Sequence, residues 1–322
     1  MNSFFLPDSR RIYANFAHHQ ETMLPLLVII LGPTAIGKSA LSLRIAEHFD
    51  TEIVSADSRQ IFREMQIGTA APTPNELAKV KHHFVGSHSI FDYYSASRFE
   101  QEALGVLGEI FTRRPLAVLS GGSMLYADAL CFGIDDLPAI DPALRESLTD
   151  SLNKLGIDHL RRELQRLDPD YYSEVDLKNH KRLLHALEII HTTGVPYSSL
   201  RTSPRKERPF RMLRIGLNAP REVIYQRINQ RVDQMVDAGL EEEARLLYPF
   251  RHQNAMLTVG YREWFDHFDG KWSREEAIER IKGNTRRYAR KQLTWYKRDT
   301  SIHWVNINQL DTVIPLIEQN NL

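Results

Sequence analysis

The chain is nearly free of cysteine. Cys131 is the only one in 322 residues, which excludes an intramolecular disulfide framework and any zinc or iron–sulfur site built on several thiolates. That scarcity fits a reducing compartment, and a cytoplasmic location is expected. Long apolar runs are missing too. The longest candidate, residues 24–31, contains Pro25 and ends at a glycine, far short of the roughly 18 residues of a membrane span. There is no net charge: 41 Lys and Arg stand against 41 Asp and Glu. Any affinity for nucleic acid must then come from local clustering. Charged residues at 25% and hydrophobic residues at 42% make a globular mix, unlike a disordered chain. Internal repeats and low-complexity tracts are absent. Residues 1–23 carry Arg10, Arg11, His18 and His19 but no apolar core of a secretory leader. They read as an extension without stable structure.

What is present is an alternation of strands and helices. Leu26, Leu27, Val28, Ile29, Ile30 and Leu31 are apolar in succession, as a strand buried on both faces of a parallel sheet requires. A glycine turn follows, then a helical pattern over 39–49. Further strands are expected over 52–56 and 116–120, with a helix over 98–112 between them. Such alternation predicts a doubly wound α/β sheet. From Cys131 to Pro204 the pattern changes. Leu144, Leu148, Leu152 and Leu155 recur at helical spacing, as do Leu160, Leu164 and Leu167 and then Leu183, Leu184, Leu187 and Ile190. Asp141-Pro142 and Asp168-Pro169 read as helix starts. Residues 211–217 then look like a strand returning to the sheet, and a short strand is expected near 302–305.

Gly32-Pro33-Thr34-Ala35-Ile36-Gly37-Lys38-Ser39 matches G-x-x-x-x-G-K-[ST] between an apolar strand and an amphipathic helix. Glycines let successive N–H groups curl around a phosphate. The helix N-terminus adds partial positive charge, Lys38 a full charge, and the Ser39 hydroxyl a ligand for Mg²⁺. The expected fold is therefore a P-loop NTPase-like α/β parallel sheet core, residues 24–130 and 205–322, with an inserted all-helical domain at 131–204. A loop of this kind grips a diphosphate. It leaves open a kinase or nucleotidase, a transferase with a diphosphate leaving group, and a non-catalytic nucleotide switch.

Asp57 follows the second strand, where ligands bind in open α/β sheets. It can serve as a proton acceptor or cap a helix over 59–65. Charge is strongly polarised near the C-terminus. Arg280, Lys282, Arg286, Arg287, Arg290, Lys291, Lys297 and Arg298 occur with no Asp or Glu between them. Arg286 with Arg290, and Arg287 with Lys291, share helix faces; a single-sign stretch of this length points to phosphate binding. A second cluster, Arg201, Arg205, Lys206, Arg208, Arg211 and Arg214, is expected to flank the same groove, with the helical insertion as its second wall. His82-His83 and His18-His19 have no partners at metal-ligand spacing and read as loop histidines.

The order GPTAIGKS, ADSRQIFREMQIGTAAPT, LSGGSMLY, LTVGYREW and TRRYARKQLTW resembles the tRNA dimethylallyltransferases, the adenosine-37 isopentenyltransferases, from about Leu26 to Trp304. Phe62 and Ala71 stand where that family more often has Tyr and Lys, and Ser123 where Thr is usual. The resemblance implies transfer of a dimethylallyl group from its diphosphate to N6 of adenosine 37 in the anticodon loop of tRNA. The phosphate loop would hold the diphosphate, with Mg²⁺ on Ser39. It implies that Asp57 deprotonates the N6 amine, that Arg231 reaches the diphosphate, and that Thr34 contacts substrate near the reacting carbon. For Arg231 a surface position on a helix over 222–238 is the alternative, since it lies off the stripe of Ile224, Ile228, Val232 and Met235. Contacts to tRNA are implied for Asp57, Ser58, Arg59, Gln60, Ser123, Arg145, Lys181 and Arg182. They are implied also for Leu257, Thr258, Val259, Gly260, Tyr261 and Arg262, and for Thr285, Arg286, Arg287, Arg290, Lys291 and Gln292. Eukaryotic relatives often add a cysteine–histidine zinc element, which a single cysteine excludes, so a bacterial-type enzyme is implied. A monomer without membrane attachment is expected. The competing readings are a small-molecule kinase with the same loop and a nucleotide-dependent RNA-binding protein.

Overall fold

The computed structural model describes residues 24–321 except 136, 139, 203 and 204. The extension expected over residues 1–23 and the Pro204 end of the insertion lie outside the described residues. Every residue of β1 (Leu26–Leu31) is buried. Burying a Leu, Ile or Val side chain contributes about 1.5–3 kcal/mol, so this strand is a natural centre for the core. It is followed by α1 (Lys38–His48), β2 (Ile53–Ser55), α2 (Pro74–Lys79), β3 (His82–His83), α3 (Ala96–Phe111), β4 (Leu116–Ser120) and α4 (Met124–Phe132). Next come α5 (Pro142–Leu155), α6 (Ile157–Leu167), α7 (Pro169–Glu174), α8 (His180–Thr193) and α9 (Tyr197–Leu200). The chain then runs through β5 (Arg211–Asn218), α10 (Arg221–Asp237), α11 (Leu240–Leu247), α12 (Tyr261–Phe268), α13 (Arg274–Tyr296), β6 (His303–Asn306) and α14 (Val313–Asn320).

The strands form one sheet in the order β3-β2-β4-β1-β5-β6, and every pairing is parallel. Leu26 lies opposite Leu116 on one side and Arg211 on the other. All strand C-termini therefore reach the same edge. That edge carries the glycine loop after β1, Asp57 after β2 and Gly121-Gly122-Ser123 after β4, as the crevice rule for open sheets requires. No helix among the described residues is long and apolar enough to cross a membrane.

Two compact units are present: residues up to Cys131 together with those from Glu207 onward, and Phe132–Lys206. The second has its own core of Leu148, Leu160, Leu164, Tyr171, Leu183 and Leu187. Two of the five helices among its described residues start at the Asp-Pro pairs. Asp141 accepts from the Ala143 amide and Asp168 from the Tyr171 amide. Asp168 is fully buried and also accepts from the amide and hydroxyl of Ser198, tying α7 to α9.

Two expectations need correction. His82-His83 is not a loop but an edge strand, with Ile53 opposite His82 and Val54 opposite His83. Two residues are too few for alternation to show. The helix expected over 59–65 is a series of turns, because the Arg63 amide and the Ile61 carbonyl pair with the backbone of His88 instead of with a helical neighbour.

Candidate active site

The loop between β1 and α1 owes its shape to backbone conformations that few residues tolerate. Gly32 has φ 136, and a Cβ there would sit 2.8 Å from the Leu217 carbonyl oxygen. Ala35 is also left-handed at φ 63, and Gly37 at φ 109 starts α1. The loop is braced from α13: Gln292 Oε1 accepts from the Thr34 amide at 2.8 Å, and Gln292 Nε2 donates to the Gly122 carbonyl at 2.8 Å. Lys38 Nζ donates to the carbonyls of Gly32 (3.0 Å) and Pro33 (2.9 Å). A lysine has three donors, so one is left for a ligand. Burial, aided by the nearby Arg231, pulls Lys38 down to about 7, against the opposing pull of Asp57. Burial also lowers Arg231, again opposed by Asp57.

Asp57 anchors a turn and faces a cavity at the same time. Its Oδ1 accepts from the amides of Arg59 (2.9 Å) and Gln60 (3.3 Å), as a capping carboxylate does, and its Oδ2 accepts from the Gly122 amide at 3.1 Å. It also lines a cavity of about 390 Å³. The polar wall of that cavity is Thr34, Asp57, Ser58, Arg59, Ser123, Arg231, Thr285 and Tyr288. The other wall is apolar, with Ile228, Val232, Met235, Leu240, Leu257, Val259 and Ile281. Arg231 sits off the buried stripe of α10 and faces this space instead of bulk water, with no hydrogen bond or ion pair among the described residues. Two half-buried cations beside one carboxylate leave an excess of positive charge. Such a site favours an anion.

Several other candidates converge here. Ser123 Oγ accepts from the Ser58 amide and donates to Ser58 Oγ, both at 2.8 Å. Burial lowers Arg59, which lies between Tyr126 and Asp57. Thr258 and Gly260 line the same cavity. Gln60 turns away, its amide donating to the Thr69 and Ala70 carbonyls. Arg262 is bonded to Glu263 at 2.9 Å. Tyr261 is fully buried, which removes it as a direct tRNA contact. Gln292 needs the same correction: it is 0% exposed and spends its amide on Thr34 and Gly122.

The basic helix is less free than its composition suggests. Lys282 pairs with Asp233 at 2.8 Å, Arg286 donates to Asn229 at 2.6 Å, and Arg290 donates to the Tyr225 hydroxyl at 3.2 Å. Arg280 stacks on Trp272 and Arg287 donates to Asn284. Lys291 is exposed. The second basic cluster does not form a patch. Arg208 is bonded to the Leu130 and Ala129 carbonyls and to Glu100, Arg211 to the Leu24 and Asn320 carbonyls, and Arg214 to Asp128 and Asp299. Arg208 and Arg214 are buried at these bonds, whereas Arg211 makes its own at the surface.

In the second unit Lys181 and Arg182 line a separate cavity of about 510 Å³ with Tyr171, Tyr197 and Arg201. Arg145 forms a two-bond pair with Glu188, at 2.7 and 3.0 Å. Burial raises Glu188, but the bonds from His185 and Arg145 outweigh it and hold the carboxyl below its usual range.

Comparison with known proteins decides the family. The model described as IPP transferase matches residues 60–299. The chain belongs to the IPP transferase family. It is 51% identical over 299 residues to tRNA dimethylallyltransferase 1 of Bacteroides thetaiotaomicron, covering 93% of this chain and 97% of that protein. It is 50% identical over 293 residues to tRNA dimethylallyltransferase 2 of Parabacteroides distasonis, covering 91% and 98%. Among solved structures, the tRNA isopentenylpyrophosphate transferase of Bacillus halodurans is similar with a TM-score of 0.66 at 35% identity, covering 92% of this chain and 97% of that one. A eukaryotic dimethylallyltransferase, described as acting on tRNA, has a TM-score of 0.72 at 26% identity, covering 88% and 74%. The family span begins at Gln60, after the phosphate loop, so loop and family model are independent signals.

Sequence reasoning missed Tyr288, Arg227 and Glu243. Tyr288 donates to the Gly122 carbonyl at 2.7 Å and lines the cavity. It lies inside the basic stretch, whose charge drew attention from it. Arg227 donates to the Ile36 carbonyl at 3.1 Å, one helical turn before Arg231.

Proposed function

We propose that the chain transfers a dimethylallyl group from dimethylallyl diphosphate to N6 of adenosine 37 in the anticodon loop of tRNA, releasing pyrophosphate. Dimethylallyl transfer to tRNA is the activity of the family it belongs to. The carrying observation is the half-buried pair Lys38 and Arg231, both within electrostatic reach of Asp57, beside a cavity that Arg231 and Asp57 line and that has one apolar wall. A diphosphate answers the two cations, and a five-carbon apolar chain answers the wall. A kinase needs neither an apolar wall nor an acceptor poised for an amine, and a switch needs no proton acceptor.

The chemistry follows from charge. The exocyclic amine of adenine is a weak nucleophile because its lone pair is delocalised into the ring. An allylic carbon offsets this by spreading positive charge as its bond to oxygen breaks. Negative charge then grows on the departing diphosphate, and fixed donors aimed at it supply the large stabilising effect. Lys38, Arg231 and the amides of Gly37, Lys38 and Ser39 at the start of α1 are those donors. The N6–carbon bond forms, the carbon–oxygen bond breaks, and the N6 proton passes to Asp57. The target base leaves its stack to reach N6. Mg²⁺ binds through one or two protein ligands plus phosphates. Ser39 is exposed in the first turn of α1 and suits that demand. Bound there, the ion would neutralise diphosphate charge. A tRNA substrate argues for a cytoplasmic protein, and we propose a monomer.

The test is incubation of the protein with tRNA and radiolabelled dimethylallyl diphosphate, without ATP, followed by digestion to nucleosides. Label is expected in N6-dimethylallyladenosine. Label confined to the free donor would reject the assignment.

A further inference from the structure

Three consecutive glutamates, Glu241, Glu242 and Glu243, open α11, and the third shares the helix face of the buried Leu240, Ala244 and Leu247. Its carboxylate is the meeting point of three walls. Oε2 accepts from the amides of Gln66 (3.0 Å) and Ile67 (2.9 Å). Oε1 accepts from the Gly68 amide (2.9 Å) and the Tyr261 hydroxyl (2.7 Å). The Tyr261 ring lies so close to Gly68 that a Cβ there would stand 2.5 Å from it. Gly68 and Thr69 from the turn, residues 257–260 just before Tyr261, and Leu240 from α11 all line the active-site cavity. The turn bends through Ala70 at φ 48, and Gln60 holds its other side through the Thr69 and Ala70 carbonyls. Gln60 in turn donates its amide to Asp57.

We propose that Glu243 is a positioning residue for prenyl transfer, fixing the 66–70 turn, the 257–260 segment and α11 to one another as a single cavity wall. The role rests on the prenyl-transfer reading of this cavity. The phosphate loop shares no bond with Glu243, so the donor's anionic end is held independently. Four donors converge on two oxygens, and an amide cannot replace them. In Glu243→Gln one oxygen becomes an NH₂ group that meets either the Gln66 and Ile67 amides or the Gly68 amide and Tyr261, and at least one N–H is left facing another N–H.

Two measurements test it. The first is hydrogen exchange of peptides covering residues 66–71, which requires no activity. E243Q is expected to lose protection there while the β1 and β4 peptides keep theirs. Unchanged protection at 66–71, or loss spread equally over the sheet, overturns the proposal. The second is steady-state kinetics with tRNA and the labelled donor. A displaced wall is expected to lower kcat by about 10–100-fold and raise KM for tRNA, while the Kd for inorganic pyrophosphate, which needs only the donor's anionic subsite, stays within about twofold. Y261F, which keeps three of the four bonds, is expected to fall between wild type and E243Q. Unaltered kcat and KM in E243Q, or pyrophosphate affinity lost in parallel with turnover, overturns the proposal. A wild-type protein that forms no labelled nucleoside fails the functional reading instead, and the exchange experiment still judges Glu243.

Discussion

Asp57 keeps both carboxylate oxygens under backbone amides, and this restrains its orientation without occupying every lone pair. A base so held acts by geometry. Replacing it by Asn preserves an acceptor for the turn and removes the charge, and turns an NH₂ group toward the Gly122 amide. Turnover of D57N is expected to fall by about 10²–10⁴-fold with donor affinity little changed, read by single-turnover labelling beside equilibrium binding. Equal rates would show that the N6 proton leaves by another route. Lys38 makes a prediction of opposite character. Its amine titrates at about 7 because burial and Arg231 disfavour the charge. A bound diphosphate favours the charged form and moves that value upward. Below pH 7 the free protein already carries the proton. Above it the proton must be taken up on binding, so affinity through this group falls as pH rises, by at most about tenfold per unit. Calorimetric titration at pH 8 in two buffers of different ionisation enthalpy should give different apparent heats. Identical heats would mean that Lys38 was protonated beforehand.

At the scale of elements, α13 does two jobs on two faces. Lys282, Arg286 and Arg290 are spaced four apart and meet Asp233, Asn229 and Tyr225 of α10 in reverse order, as antiparallel helices should. These cations hold the helix pair together. Arg287 and Lys291 lie one residue further round and are exposed. Replacing both by Gln is therefore expected to flatten the salt dependence of tRNA binding, by roughly 1.4–1.8 in log–log slope. R286Q with R290Q should lower the unfolding midpoint more than the slope. Filter binding across a salt series and thermal melts separate the pairs, and a slope unaffected by R287Q/K291Q would remove this face from the interface. The sequence carried the charges but not their partners, because pairing across helices has no local signature. The same limit explains the other differences. β1, β4 and β5 were readable from apolar runs, and the phosphate loop from its spacing, since both signals are local. β3 is two histidines whose only support is a neighbouring strand, and the turns after Asp57 depend on Gln60 reaching a segment ten residues on. Glu243 was hidden among identical neighbours, although its offset from Leu240 and Leu247 marks the inward face.

For the whole molecule, the two units carry separate cores, and every residue lining the donor cavity belongs to the unit that contains the sheet. Donor binding and tRNA binding are then expected to respond differently to damage in Phe132–Lys206. Leu187 is fully buried among Leu160, Leu164 and Leu183. Truncation to Ala leaves a cavity and costs about 2–5 kcal/mol, a large part of what a unit of this size has in reserve. L187A should therefore loosen the helical unit, where Lys181 and Arg182 line their own cavity, while β1, α1 and α10 still present Lys38 and Arg231. The expected result is near-normal affinity for dimethylallyl diphosphate together with weakened tRNA binding and slow transfer. Parallel titrations with labelled donor and with tRNA read this directly. If donor affinity fell as far as tRNA affinity, the two cores would be shown to unfold as one, and the division of labour between them would have to be abandoned.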